Sequence, residues 1–231
     1  MKLLASVLVL APVLALGATK VPDTIKQING AAAVFEEVNS APDGGIPREL
    51  LEKALCIGIL PSLRHAGLIV GESYGRGVVV CRNKDISSGW AGPAFISIAS
   101  TSLGLQAGLG DTDLIFLVMN QEGMNKLMAE KFDARDESVP GPVGEDSPDS
   151  ASATKAEVLS YSRARGKFTG TALPAGSFRP FEKDNRLYYG PDVTISQILT
   201  GAVKVPHTAG VLTSTLDEYI PGARKKHGRE R

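Results

Sequence analysis

Beyond its leading apolar run the chain shows helical spacing: Ile25, Ile28, Ala32, Phe35 and Val38 lie three and four residues apart. That spacing predicts a helix from Thr24 to Asn39 with one buried stripe, and with Lys26, Gln27, Glu36 and Glu37 on its polar side. Gly30 interrupts the stripe and weakens the helix by up to about 1 kcal/mol relative to Ala. The polar face is not basic, so packing against a sheet suits this helix better than lying in a membrane surface. Turn-forming residues from Asn39 to Gly45 end it. Pro47 then opens a second helix with Leu50, Leu51, Ala54 and Leu55 on one face.

From Cys56 the pattern changes to short β-branched and aromatic bursts separated by glycines: CIGIL, AGLIVG, GVVVCR, GPAFISIAS, LGLQAGLG and TDLIFLVMN. Each is predicted as a strand or half-strand, and the glycine turns between them imply antiparallel pairing. A helix follows over Glu122 to Phe132, with Met124, Leu127 and Met128 inward. Residues 133–155 are rich in Asp, Glu, Pro, Gly and Ser and predict a mobile acidic loop. Strand character returns in EVLSYSRARGKFTGTALPAG and SFRPF, DNRLYYGPD reads as a turn, and ISQILTG and TAGVLTSTLDEYI read as short helices. The expected fold is α+β: an antiparallel β-sheet system, sandwich or barrel-like, packed with N-terminal and C-terminal helices. One domain over 46–220 is expected, preceded by the helix and turn of 19–45 and followed by a basic tail, 221–231.

The first residues, MKLLASVLVLAPVLALGATK, have the parts of a secretory signal peptide: Lys2, an apolar run from Leu3 to Leu16, and small residues at Ala15, Gly17 and Ala18. Pro12 and the short run argue against a permanent span. A signal over 1–18, cut near Gly17 or Ala18, places the mature chain in the periplasm or outside the cell. Twenty-five basic and 25 acidic residues cancel, which removes any global field toward nucleic acid. The run Arg224-Lys225-Lys226-His227-Gly228-Arg229-Glu230-Arg231 is expected to be a solvated tail. Cys56 and Cys81, each among apolar neighbours, either pair in an oxidising compartment or stand as buried thiols, and the apolar surroundings favour thiols. Neither C-x-x-C nor H-E-x-x-H is present, so no familiar zinc site and no cofactor is expected.

GESYG, residues 71–75, fits the G-x-S-x-G of a serine-hydrolase elbow with Ser73 as nucleophile, and Asp192 and His207 complete a triad on paper. The elbow requires a helix directly after the serine. Gly75, Arg76, Gly77 and then Val78-Val79-Val80 instead predict a second strand, so GESYG reads as the turn and flank of a glycine-rich hairpin with Ser73 a polar turn residue. The same glycines lack the G-K-[ST] of a phosphate loop and the helix of a dinucleotide fingerprint. Asp111 and Asp113 are spaced to hold a cation or to cap a turn, and the turn is the expected role.

GVVVCR after a glycine cluster, GWAGPAFISI, GLQAGLGDTDLIFLVMN, GPVG, and SYSRARGKFTG followed by LYYG together resemble the SYLF domain, over Ile46 to Pro206. The resemblance implies a binding module rather than an enzyme: eukaryotic members bind phosphoinositides and membranes, and some fungal members bind actin beside an SH3 or FYVE domain. This chain is similar to the stand-alone exported bacterial type, commonly labelled lipid-binding. Its expected partner is an anionic phospholipid or membrane surface. The alternative is a structural or protein-interaction module with a partner in the cell envelope. A headgroup site needs cations beside apolar surface. In one continuous strand Arg163, Arg165 and Lys167 would share a face, with Phe168 on the other. Arg76 and Arg82, at an even separation, would likewise share one. These five cations are the candidate headgroup residues.

Overall fold

Strands β1 (Cys56–Ala66) and β2 (Val70–Cys81) form the centre of a curled sheet. The remaining strands are β3 (Ala94–Leu103), β4 (Thr112–Val118), β5 (Ser138–Pro140), β6 (Val158–Ala164), β7 (Lys167–Gly170) and β8 (Ser177–Pro180). The order is β5-β6-β4-β1-β2-β3-β8, with β7 also paired to β6. The computed structural model describes residues 22–41, 44–66, 70–83, 89–103, 111–129, 132, 138–144, 147, 153–164, 166–171, 173 and 177–220. The expected signal segment, the basic tail, Arg165, most of LGLQAGLG and much of 133–155 lie outside the described residues.

Among the described residues every strand pair is antiparallel except β5 with β6, which is parallel. The fold is thus α+β, with the sheet curled into a half-barrel. Both faces are covered. Ile57, Ile59, Val78, Val80, Ile115 and Leu117 pack beneath helix α1 (Asp23–Asn39), through its Ile28, Phe35 and Val38, and beneath the C-terminal helix Gly210–Tyr219, through Leu212 and Leu216. Leu60, Val79, Ile96, Phe116 and Val118 point the other way, onto Leu127 of α3 (Gln121–Met128), Phe132, and Ile198 and Leu199 of a short helix, Ile195–Leu199. Burial on both sides explains why Val78-Val79-Val80 and Leu114 to Val118 read as unbroken apolar runs rather than alternating ones.

Helix α2 (Arg48–Lys53) starts after Pro47, as its sequence predicts. DNRLYYGPD is not a turn: α4 (Glu182–Tyr189) occupies most of it. Its first turn carries Glu182 and Asp184, Glu182 pairs with Arg186 one turn on, and Gly190 at φ 117° ends it. Asn185 inside this helix donates to the Phe95 carbonyl at 2.9 Å and accepts from the Phe95 N–H at 2.8 Å, tying α4 to β3. The two later helices are α5 (Ile195–Leu199), started by a Thr194–Gln197 capping box, and α6 (Gly210–Tyr219).

Two local expectations need correction. GESYG is not a hairpin turn but the interior of β2, where Ser73 pairs with His65 on one side and Ser100 on the other. Its glycines answer to close approach instead: a Cβ on Gly77 would sit 2.1 Å from the Ile59 carbonyl oxygen, and one on Gly75 would sit 2.6 Å from Leu63 Cδ1. Cys56 and Cys81 are not thiols. They are directly opposite in the β1–β2 ladder and form a disulfide, because register brings together two residues that the sequence shows only as separate apolar positions. The bridge closes a separation of 25 residues, so replacing both cysteines by Ala is expected to lower stability by roughly 3 kcal/mol. Urea unfolding of the variant beside the oxidised protein checks this, and equal midpoints would contradict it.

Candidate functional site

One residue too many in β1 determines what its far half presents. Cys56 to Ile59 pair with Cys81 to Val78 in one register, but Arg64 pairs with Tyr74, a register longer by one residue. The pairing with β4 shifts by the same residue between Leu60 and Leu63. The bulge sits at Pro61-Ser62. Pro61 has no N–H for a ladder, and Ser62 takes φ 57°, the left-handed region unfavourable to a residue with a Cβ. Side-chain parity flips there: Leu63 turns into the core beside Phe116, and Arg64 comes to the opposite face, in line with Tyr74 and Arg76.

That face is where the cover by α1 ends. Gly30 of α1 lies over Pro61, and the first turn of the helix, with Asp23 and Lys26, borders the exposed end of the sheet. Between them is an open cleft of about 370 Å³ lined by Asp23, Lys26, Gln27, Ser62, Arg64, Tyr74 and Arg76, among others. Three cations thus stand against one carboxylate. Lys26 Nζ lies 3.3 Å from Asp23 on the exposed helix surface, whereas no carboxylate of the described residues pairs with Arg64 or Arg76. Arg76 is held in place by aromatic groups: its Nε donates to Tyr74 Oη at 2.7 Å, and its Cζ lies 4.4 Å from the Phe181 ring centroid. Tyr74 is 44 % exposed. Arg179 of β8, opposite Ser97 and so in the same cross-strand row as Arg76, adds a fourth exposed cation about 10 Å further across the sheet.

The five cations expected from sequence do not form one patch. Arg76 is in the cleft. Arg82 shares its face, as expected, but at the covered end: it donates to the carbonyls of Ala54 and Leu51, each at 2.8 Å, and its Cζ lies 5.0 Å from the Trp90 ring centroid. Burial lowers its pKa, partly offset by Glu52 and Asp217. Arg163 is paired with Asp113, at 2.6 Å, and with Glu37 of α1. Burial would lower its pKa, but the two carboxylates outweigh burial and raise it. Lys167 lies on the face opposite Arg163. The chain reverses between Ala164 and Lys167, with Gly166 at φ 78°, so Lys167 pairs with Ala164 while Phe168 pairs with Arg163 and stacks on Tyr161. Reversal of the chain between the two strands breaks the parity that a continuous strand would have.

Arg64, Lys26 and Arg179 were not among the expected residues. A signal for Arg64 exists, since a Pro inside a strand pattern marks an edge or a bulge, and a bulge moves the next residue to the other face. Ser73, inside a strand, is not at the strand-to-helix elbow that a hydrolase needs. Among the described residues no three His, Cys, Asp or Glu come together as a metal site.

The family described as Ysc84, Las17-binding protein actin regulator, matches residues 99–219, just over half of the chain. This protein belongs to the Ysc84, or SYLF-domain, family. Its SYLF domain is similar to that of Protein YSC84 of Saccharomyces cerevisiae, 30 % identical over 181 residues, covering 76 % of this chain and 38 % of the relative. LAS seventeen-binding protein 3 of the same yeast is 28 % identical over 192 residues, covering 80 % and 41 %. SH3 domain-containing YSC84-like protein 1 of Homo sapiens is 29 % identical over 192 residues, covering 80 % and 55 %. The chain spans about two fifths of the yeast relatives and just over half of the human one. No solved structure matches it.

The two arginines on one face of β2 separate a structural role from a surface one within this SYLF domain. Arg82→Ala is expected to cost about 2–3 kcal/mol, because it removes a charged donor from two backbone carbonyls. Arg76→Ala is expected to cost under about 1 kcal/mol, the scale of an exposed cation–π contact. Denaturant midpoints of the two variants measure the contrast, and equal losses would refute it.

Proposed function

We propose that this protein is an exported, non-catalytic SYLF protein that binds an anionic membrane surface, and that the cleft at the uncovered end of the sheet is its headgroup site. The observation that carries the reading is the convergence of Lys26, Arg64 and Arg76 on one open cleft beside the exposed Tyr74. Cations attract the lipid phosphates, and a tyrosine ring with its hydroxyl suits the boundary between headgroups and acyl chains. Arg179 extends the cationic row along the same face, which favours a surface ligand over a small enclosed one. An open cleft lined by cations beside an aromatic ring suits an anionic surface, and binding is the activity this reading assigns to it. The signal-like residues 1–18 support export.

A protein partner is the second reading. It rests on Leu187, 70 % exposed on α4, and Val211, 52 % exposed on α6, and on the Las17-binding description of the family. The two readings place the working surface on different elements and are separable by mutation.

Co-sedimentation with phosphatidylcholine vesicles containing phosphatidylglycerol tests the lipid reading. Each basic residue near an anionic surface contributes about 1 kcal/mol, so Arg64→Ala with Arg76→Ala is expected to weaken binding by about 30-fold. Added salt is expected to weaken the wild type as the Debye length shortens. Lys167→Glu, on the opposite face, is expected to change little. Absence of wild-type binding at low salt, or an unaffected double variant, would defeat the proposal.

A further inference from the structure

Asp113 of β4 is on the α1 side of the sheet, next to the cleft without lining it, and it bonds to the bulge and to Arg163. Asp113 Oδ1 accepts the Ser62 N–H at 2.9 Å. Oδ2 accepts from Arg163 Nε at 3.0 Å and Arg163 Nη2 at 2.6 Å. Arg163 in turn pairs with Glu37, which ties the group to α1. The Asp113 side chain is 15 % exposed and that of Arg163 18 %, so the pair is largely shielded from water. Ser62 is the one non-glycine among the described residues with a positive φ, and its N–H, displaced from the ladder by the bulge, needs an acceptor. Asp113 supplies that acceptor, and Arg163 fixes the carboxylate that does so.

We infer that Asp113, oriented by Arg163, is a positioning residue for Arg64: by holding Ser62 in the left-handed region it locks the extra residue into β1 and keeps Arg64 on the headgroup face. This rests on the cleft being the headgroup site. The chain of cause is parity. In the register that β1 starts with, Leu63 would stand opposite Tyr74, and Arg64 would turn to the face that now buries Leu63. Loss of the bulge would therefore exchange a cation for a leucine at the cleft. The role also accounts for Arg163. Its charge is directed at Asp113 and Glu37, and it acts on the site through Ser62 rather than by meeting a phosphate itself.

A double-mutant cycle with the full chain tests the coupling. Binding to phosphatidylcholine vesicles containing phosphatidylglycerol is measured for Arg64→Ala, Asp113→Ala and the two together. Arg64→Ala is expected to weaken binding about 5-fold. Asp113→Ala is expected to match it, and the double variant to bind no more weakly than Arg64→Ala alone, because Asp113 has no effect once Arg64 is gone. Additive losses, or an Asp113→Ala variant that binds like wild type, would overturn the inference. A lipid-free readout keeps it separable from the function: the cross-strand nuclear Overhauser contacts of Arg64 with Tyr74 are expected in the wild type and lost in Asp113→Ala. Their persistence in the variant would refute the positioning role even if no vesicle were bound. Asp113→Asn, which keeps an oxygen for Ser62 while weakening the hold of Arg163, is expected to fall between, and it serves in place of the Ala variant if that variant does not fold.

Discussion

Helices cover both faces of the central strands, and a charge placed under either layer loses several kcal/mol of hydration unless it is paired. The described arginines of the sheet answer to that constraint. Arg82 lies under α2 and satisfies two carbonyls and the face of Trp90. Arg163 lies near the rim of α1 and meets two carboxylates. At the Pro61 end of β1, beside the first turns of α1, this face opens to water, and there Arg64, Arg76 and Arg179 stand exposed. The position of the site is therefore set by the extent of the cover.

The same constraint makes the bulge at Pro61-Ser62 necessary. Leu63 needs burial and Arg64 needs water, yet in an unbroken register of β1 each would face the other's environment. One inserted residue reverses both. Burial of Leu63 at 1 % exposure favours the reversal, and the Asp113–Arg163 pair satisfies the backbone group that the reversal displaces. Apolar packing and a polar contact thus act on one residue, Ser62, from different sides. Gly75 and Gly77 belong to this arrangement as well, since they let β1 close on β2 just where the bulge would otherwise hold the strands apart.

Long periodic segments were legible from sequence alone. The stripe Ile28, Phe35 and Val38 of α1, the strand at Thr112–Val118 and the helix at Gln121–Met128 all stand within a few residues of where their spacing put them. The SYLF resemblance, carried by segments in their order, is matched by the family to which the chain belongs. What did not emerge depends on pairing between distant residues. Cys56 meets Cys81 only through the β1–β2 register, and DNRLYYG becomes a helix with the bonds that Asn185 makes to Phe95, 90 residues away. The acidic stretch 133–155 contains β5, whose three residues pair with β6 in parallel. No local pattern encodes such a partner.

The arginines show why a candidate patch resists a reading by periodicity. Counting by twos along SRARGK assigns Arg163 and Lys167 to one face, and the count is valid only while the chain stays in one strand. The reversal between Ala164 and Lys167 breaks it. In β1 a similar count fails for the opposite reason, because an added residue moves Arg64 onto a face that alternation denies it. Along β2 the count succeeds for Arg76 and Arg82, yet their roles differ because Arg82 is bound to the carbonyls of α2 and its cap while Arg76 stands exposed in the cleft. Strand parity locates a side chain on a face; only the layer above that face decides whether the charge supports the fold or meets a ligand. Pro61 is the one local residue that announces such a change of parity, because a ladder position that needs an N–H cannot hold it. Counting that proline as an insertion in the strand places Arg64 on the face of Tyr74 and Arg76, so the parity of the cleft is encoded locally even though its cover is not.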